Sequence, residues 1–387
     1  MGTIIKAFKD NVSKYSMIIA LVGIMIYFQI ASEGILLKPL NITNLILQNS
    51  YILILAIGML LVIVAFHIDL SVGSIAAVIG AFAGIMIINN NMPVPLGIGI
   101  TLLIGAIIGA WQGYWIAYVK IPAFITTLAG MMLFRGLTYV SLNGTSIAPF
   151  PKAFQLMSTG FIPDFFNGNG IHITTIVIGV ILTILFVILE MKKRANQKKY
   201  NFEVVKPVFL IIKIVVIVAL INTFCYIMAS YKGLPNVLVL LGVLVAFYTF
   251  ITTKTTFGRH IYALGGNEKA ARLSGVKTKW VVFLVFVNMG VLSALAGLVF
   301  AARLNSATPN AGVGFELDAI AACFIGGAST AGGIGTVMGA IIGGLFMGVM
   351  NNGMSLIGVG IDWQQTIKGM VLLLAVAFDV YSKSKTT

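Results

Sequence analysis

The stretch YILILAIGMLLVIVAF, Tyr51 to Phe66, holds no charged residue, and stretches like it recur along the whole chain. A helix needs ~20 mostly apolar residues to cross a bilayer. Backbone polar groups cannot stay unpaired in lipid, so runs of this kind are helices rather than open sheet. A membrane β-barrel would alternate apolar and polar residues, and these runs are continuous. Composition agrees. Of 387 residues 59% are hydrophobic and only 9% charged, with a mean hydropathy of +1.03. An ordinary soluble domain is about a quarter charged. The fold class expected is an all-α, polytopic membrane bundle occupying 1–387 as one domain.

The length criterion gives about twelve apolar segments. They lie near Met17–Ile30, Tyr51–Phe66, Val72–Ile88, Pro95–Tyr118, Pro122–Val140, His172–Leu189, Val208–Met228, Leu234–Ile251, Trp280–Ala302, Leu317–Gly327, Ile334–Met350 and Thr366–Val380. The first sits behind Lys6, Lys9 and Lys14 and resembles a signal-peptide core, but the many spans after it favour a retained anchor. The tenth is short and flanked by glycine, as a broken helix would be.

The net charge of +14 is placed in the gaps between apolar runs, as positive-inside loops are, and not in a nucleic-acid-binding patch. With a cytoplasmic N-terminus and one crossing per segment, only Lys38, Lys152, Lys232 and Arg303 fall outside, while Arg135, Lys213 and Lys368 fall within spans. The remaining bases are inside. Both termini are therefore expected in the cytoplasm, with the basic loop 191–206 (beginning MKKRANQKKY). The largest outer loop is Ser141–Ile171. Cys225 and Cys323 sit alone in apolar runs and read as core residues, not disulfide partners or metal ligands.

One stretch departs from this background. YALGGNEKAARLSGVKTKW, Tyr262 to Trp280, carries one acid and four bases. Gly265 and Gly266 break the chain, Asn267 is a fitting N-cap, and Glu268 falls in the first turn, where a carboxylate suits the helix dipole. Ala270, Ala271 and Leu273 offer a small apolar face, Lys269 and Arg272 point away from it, and Gly275 stops the helix. Such a helix suits a groove on a partner. The competing reading is a solvated loop, or a helix resting on anionic lipid. Residues alone leave these even, though Ala-Ala is a poor lipid anchor.

The sequence GRHIYALGGNEKAARLSGV, Gly258 to Val276, resembles the cytoplasmic coupling segment of ATP-binding-cassette importer permeases of the ribose, xylose and galactose branch. The segment spans 258–279, and its Glu-x-Ala-Ala-x-x-x-Gly core is Glu268, Ala270, Ala271 and Gly275. Four further stretches resemble that family in its order: IDLSVGS (Ile68–Ser74), IPAFITTLAGMMLFRGL (Ile121–Leu137), ARLNSATPNAGVGFELDAIAACFIGGAS (Ala302–Ser329) and IIGGLFMGVMNNGMSLIGV (Ile341–Val359). His67 stands where the family usually has glycine. An extra apolar pair, near His172–Leu189 and Val208–Met228, flanks the basic loop and resembles the longer xylose or multiple-monosaccharide type.

The resemblance implies a subunit that is not itself an enzyme, in a bacterial cytoplasmic membrane. Two permease copies would bind a cytoplasmic ATPase dimer, and an extracytoplasmic binding protein would deliver a monosaccharide, xylose or a related aldose. Gly266, Asn267, Glu268, Ala270, Ala271, Leu273 and Gly275 would then couple to the ATPase. The chain has no Gly-Lys dipeptide and so no Walker A loop, which leaves ATP and Mg²⁺ to another polypeptide, with no cofactor on this one. GGASTAGGIGT, Gly326 to Thr336, reads as close helix packing through small residues, not as a phosphate loop.

Polar groups in a membrane are site candidates by default. Asp69 and Ser71 read as pathway or gate, or as a cap on the third helix. Asn351, Asn352, Trp363, Gln364 and Gln365 offer amides and an aromatic face suited to a neutral sugar, or an interfacial belt with hydrogen-bonded turns. Arg135, Glu316 and Asp318 are expected to form an ion cluster at the outer mouth, and Lys368 to snorkel outward. No catalytic set is present, and His67, His172 and His260 have no metal-ligand spacing. The alternatives are an ion-driven secondary carrier, disfavoured because nearly every acid (Glu190 and Asp379 included) lies in a loop or at a span end, and a permease for another small solute such as branched-chain amino acids.

Overall fold

A computed structural model describes residues 12–384 except 167, 169, 203, 205 and 206, with side chains from residue 17 onward except those of 378, 379 and 381–384. Lys6, Lys9, the side chains of Lys14 and Asp379, and Glu203, Val205 and Lys206 of the basic loop lie outside the described residues. Every regular element is a helix. They are α1 (Val12–Ala31), α2 (Pro39–Val64), α3 (Val72–Gly84), α4 (Val94–Tyr114), α5 (Ala123–Leu142), α6 (Lys152–Thr159), α7 (Ile173–Lys199) and α8 (Pro207–Ala229), then α9 (Asn236–Lys254), α10 (Thr256–Gly266), α11 (Glu268–Leu273), α12 (Thr278–Leu304), α13 (Phe315–Ile325), α14 (Val337–Leu356) and α15 (Ile361–Ser384). π-turns Ile85–Asn89 and Trp115–Val119 prolong α3 and α4.

Among the described residues nine helices are long and apolar enough to cross a membrane. They match nine of the twelve expected segments. The expected tenth span is instead α13, whose 11 residues reach ~16 Å, half a bilayer. It stops at Gly326, and the loop up to Thr336 completes the descent.

α2 is the hub. From Tyr51 on it is apolar all round, as a helix with no solvent face must be, and is buried continuously from Ile52 to Val64. It runs antiparallel to α12, with Tyr51 against Phe300 and Gly58 against Met289 and Leu292. Lipid is as apolar as leucine, so helices here associate by close packing. α4 and α12 show it: a Cβ on Gly109 would lie 2.3 Å from the Phe286 carbonyl, and one on Gly290 2.2 Å from that of Gly105. The glycine-rich Gly326–Thr336 region packs helices as expected, with Gly326 against Gly339.

α11, the C-terminal ends of α7 and α9, and the first and last described residues share one end of the bundle, since Met17 packs at Gly327 and Val376 lies in a cavity with Glu268. The positive-inside expectation from the sequence assigns this end to the cytoplasm, and on that basis it is called the inner end. Lys38, Lys152, Lys232 and Arg303 belong to the opposite, outer end.

α3 does not begin at the inner surface. The turn that precedes it brings His67 beside Phe286, about two turns along α12 from its inner end. Irregular backbone at such depth is tolerated where protein buries it or a cavity adjoins it. Both hold here.

Candidate functional site

The inner end carries the exposed segment. Its break falls one step later than the glycines suggest: α10 continues through Gly265 and Gly266, and the chain turns at Asn267, which adopts extended backbone. Gly265 is needed for a different reason. A Cβ there would sit 1.6 Å from the Val64 carbonyl, so the glycine lets α10 lie against the end of α2. Gly333 N–H also donates to Val64 O at 2.9 Å. Asn267 Oδ1 accepts from Ala270 N at 2.9 Å, the N-cap expected. Gly275 has φ +86°, a left-handed stop.

The expected apolar face of α11 is divided. Ala271 is buried against the bundle, whereas Ala270 is exposed beside Glu268, Lys269 and Arg272, and Leu273 is 88% exposed. Of the six residues of α11 only Ala271 is buried. Glu268 pairs with Lys120 at 3.4 Å, both about half exposed. Lys120 itself follows the π-turn of α4 in left-handed conformation, φ +70°.

Above α11 lies an inner cavity of ≈700 Å³. Its walls are mostly apolar, from Ile63, Phe66, Ile116, Val282, Phe324 and Val376, with His67, Lys120, Glu268 and Thr330 as its polar groups. Asp69 sits just beyond, wholly buried. Its Oδ1 accepts from Ser71 N at 2.8 Å and Ser71 Oγ at 2.6 Å, a turn that sets up the start of α3. Ser71 Oγ in turn accepts from Gln112 Nε2 at 2.7 Å. Asp69 Oδ2 and Gln112 Oε1 have no partner among the described residues. Gln112, an isolated amide in an apolar run, escaped the sequence reading; the rule that flags intramembrane polar residues would have found it.

The outer end holds a second, more polar cavity of ≈410 Å³. Gln48, Asn351, Ser355 and Gln364 supply amide and hydroxyl groups, and Arg303, Asp318 and Lys368 supply charge. Tyr51 stacks on Phe315 at 4.0 Å between centroids, giving an aromatic wall. Asn351 and Gln364 both line the cavity. Asn352 does not: it turns inward and exchanges two hydrogen bonds with Asn41, at 2.9 and 3.2 Å. Trp363 is 68% exposed and, with Gln365, stays outside the cavity. On α15 these two lie to either side of Gln364, and neighbouring helical positions point about 100° apart. Sequence reasoning missed Gln48, Tyr51 and Arg303, which sit inside or at the edge of runs dominated by aliphatic residues.

Within the expected ion cluster, Arg135 closes no salt bridge with either carboxylate among the described residues, although its charge still acts on Glu316. Arg135 Nη1 donates to the carbonyl of Pro309 at 3.3 Å and to that of Ala311. Glu316 packs at the first turn of α3, its Oε2 2.6 Å from where a Gly73 Cβ would be, and a carboxylate suits that helix terminus. Asp318 pairs with Lys368 at 3.1 Å, with side chains only 7% and 18% exposed. Lys368, expected to snorkel outward, is the partner that Arg135 is not, because α13 descends beside α15 and away from α5.

Four helices line both cavities: α2 (Gln48 and Tyr51 outer, Ile63 inner), α12 (Arg303 outer, Val282 inner), α13 and α15. Asp318 and Phe315 of α13 line the outer one and Phe324 the inner; Lys368 of α15 lines the outer and Val376 the inner. On α13 the change takes six residues, ~9 Å. The half-helix thus stands between the two cavities, as a septum would.

The family of branched-chain amino acid transport system permease components matches residues 41–376. The xylose transport system permease protein XylH of Haemophilus influenzae is 40% identical, over 97% of this chain and 98% of its own. XylH of Escherichia coli is 38% identical, over 97% and 94%. The ribose import permease protein RbsC of Haemophilus influenzae is 36% identical, over 89% and 86%. No solved structure matches. With a family match over residues 41–376 and relatives alike over most of their length, the chain belongs to the family of branched-chain amino acid transport system permease components, within its xylose and ribose branch.

Proposed function

We propose that this chain is the membrane-spanning subunit of an ATP-driven importer of xylose or a closely related aldose. The observation that carries the reading is the near-complete match to xylose permeases, extra apolar pair included. The family description mentions branched-chain amino acids, but the xylose and ribose permeases match this chain over 86–98% of their own lengths, which favours a sugar. The outer cavity fits a neutral polyol: amides and hydroxyls for hydroxyl groups, and a stacked aromatic wall for the sugar's apolar face.

A binding protein at the outer end delivers the sugar to that cavity. A separate ATPase grips α11 and Leu273 at the inner end. Closure of the ATPase moves α10 and α11; because Gly265 lies on the end of α2 beside the inner cavity, that movement reaches the septum. The chain works as a pair of copies in the bacterial cytoplasmic membrane, with both termini inside, and holds no cofactor; ATP and Mg²⁺ belong to the ATPase.

Uptake of labelled xylose, ribose and galactose into proteoliposomes tests this. Uptake that requires the ATPase, the binding protein and internal ATP supports the reading and names the sugar. Uptake by this chain alone, driven by a proton or sodium gradient, would replace it with a secondary carrier, and the buried Asp69 would then be the residue to pursue.

A further inference from the structure

We propose that the inner foot of the α7–α8 hairpin is a binding site for the phosphate headgroup of an anionic phospholipid. Among the described residues the hairpin is buried near its outer ends, where Met228 of α8 meets Thr43 of α2 at 3.9 Å and Gly179 of α7 packs on Cys225 of α8. Further inward it is lipid-facing. Ile181, Ile184, Leu185 and Ile188 of α7 are exposed, as are Val208, Ile211, Ile212 and Val215 of α8. The apolar face of α7 stops at Leu189, and the helix then continues for ten more residues as EMKKRANQKK. That change of composition puts the bilayer interface at the foot of the hairpin.

At that level α7 and the end of α9 enclose a cleft of ≈870 Å³. Lys192, Lys193 and Lys254 line it with Asn196, Gln197 and Tyr200, and Leu189 and Phe202 add apolar wall. The chemistry is that of a phosphodiester with acyl chains: three ammonium groups and two amides for the head, two apolar side chains for the tail. The positive charge is not neutralised from within α7. Its one acid near the foot, Glu190, is taken by Lys213 of α8 at 2.6 Å. Over 191–206 the sequence has six bases against Glu203 alone. Basic pockets between membrane helices on the cytoplasmic side suit anionic headgroups. Such a site accounts for the extra hairpin, because a lipid bound at its foot ties α7 to α9, whose C-terminal residue Lys254 leads directly into α10.

The full-length protein, purified and placed in nanodiscs of phosphatidylcholine or of an equal mixture with phosphatidylglycerol, tests the site. Native mass spectrometry counts the lipids retained, and thermal unfolding reads their effect. The wild type is expected to retain phosphatidylglycerol preferentially and to unfold at a higher temperature in the mixture. Each lysine near an anionic surface is worth about five-fold in affinity, so K192Q/K193Q/K254Q should lose about a hundred-fold. High salt should weaken retention in the wild type. K269Q/R272Q, which removes charge from α11 instead, should behave as wild type. Equal retention of both lipids by the wild type, or undiminished retention by the triple variant, would overturn the site. So would an equal rise in unfolding temperature with inorganic phosphate alone, which would make it a free-anion site. A triple variant that keeps its lipid but no longer co-purifies with the ATPase would make the foot a protein-docking surface, and would also overturn the proposal.

Discussion

The two ends of the bundle each carry an ion pair beside a cavity, and the pairs are built for different work. At the outer cavity, Lys368 and Asp318 are nearly enclosed, 3.1 Å apart, and join α15 to α13. At the inner cavity, Lys120 and Glu268 are about half exposed, 3.4 Å apart, and join α4 to α11. An exposed pair is worth roughly 0–1 kcal/mol and is easily parted. A buried pair, whatever its net worth, cannot lose one partner without leaving a charge stranded in a low dielectric, which costs about 3–5 kcal/mol. On the proposed reading the outer pair fixes the septum, while the inner one lets α11 be drawn away. A transporter driven from its inner end needs that inequality.

The largest effect should follow from Lys368→Met, which strands the Asp318 carboxylate. Thermal unfolding in detergent should show a loss of about 3–5 kcal/mol, with much of it recovered in Lys368→Met/Asp318→Leu. Wild-type stability for the single variant would erase the contrast between the two ends. Next comes Asn352→Leu, which leaves the Asn41 amide buried without its reciprocal partner; about 1–3 kcal/mol is expected by the same measurement. Smallest in stability is Glu268→Ala, at under ~1 kcal/mol. Its effect should appear in transport instead, as ATP hydrolysis no longer tied to uptake in the assembled importer. Unaltered coupling would remove Glu268 from the transmission path and sharpen attention on Leu273.

The same contrast explains what could be read from the residues in advance. Apolar runs reveal spans but not their surroundings: α8 is even more apolar than α2, yet 6% of its span is buried against 83% for α2. Core and lipid face are chemically alike, so hydropathy cannot separate them. α11 was legible because its signals are local, an N-cap at Asn267 and a left-handed stop at Gly275. Its division into buried Ala271 and exposed Leu273 was not, since that depends on where α2 ends. The glycines around Gly326 gave away the short α13. Its consequence, that Asp318 would meet Lys368 fifty residues on and not Arg135, depends on which helices flank it and has no local signature. For the same reason the outer cavity was only half visible: Asn351 and Gln364 stand out in sequence, whereas Tyr51 and Arg303 reach the site from separate helices.

The central claim is that two vestibules of one route are kept apart by α13. Single cysteines introduced as Asn351→Cys and His67→Cys, in a chain with Cys225 and Cys323 replaced by alanine, test it most directly through labelling by a membrane-impermeant thiol reagent. In the resting transporter the cysteine at 351 should react only from outside and the one at 67 only from inside. Reaction of either from both faces, or of both from the same face, would contradict the septum and the topology together.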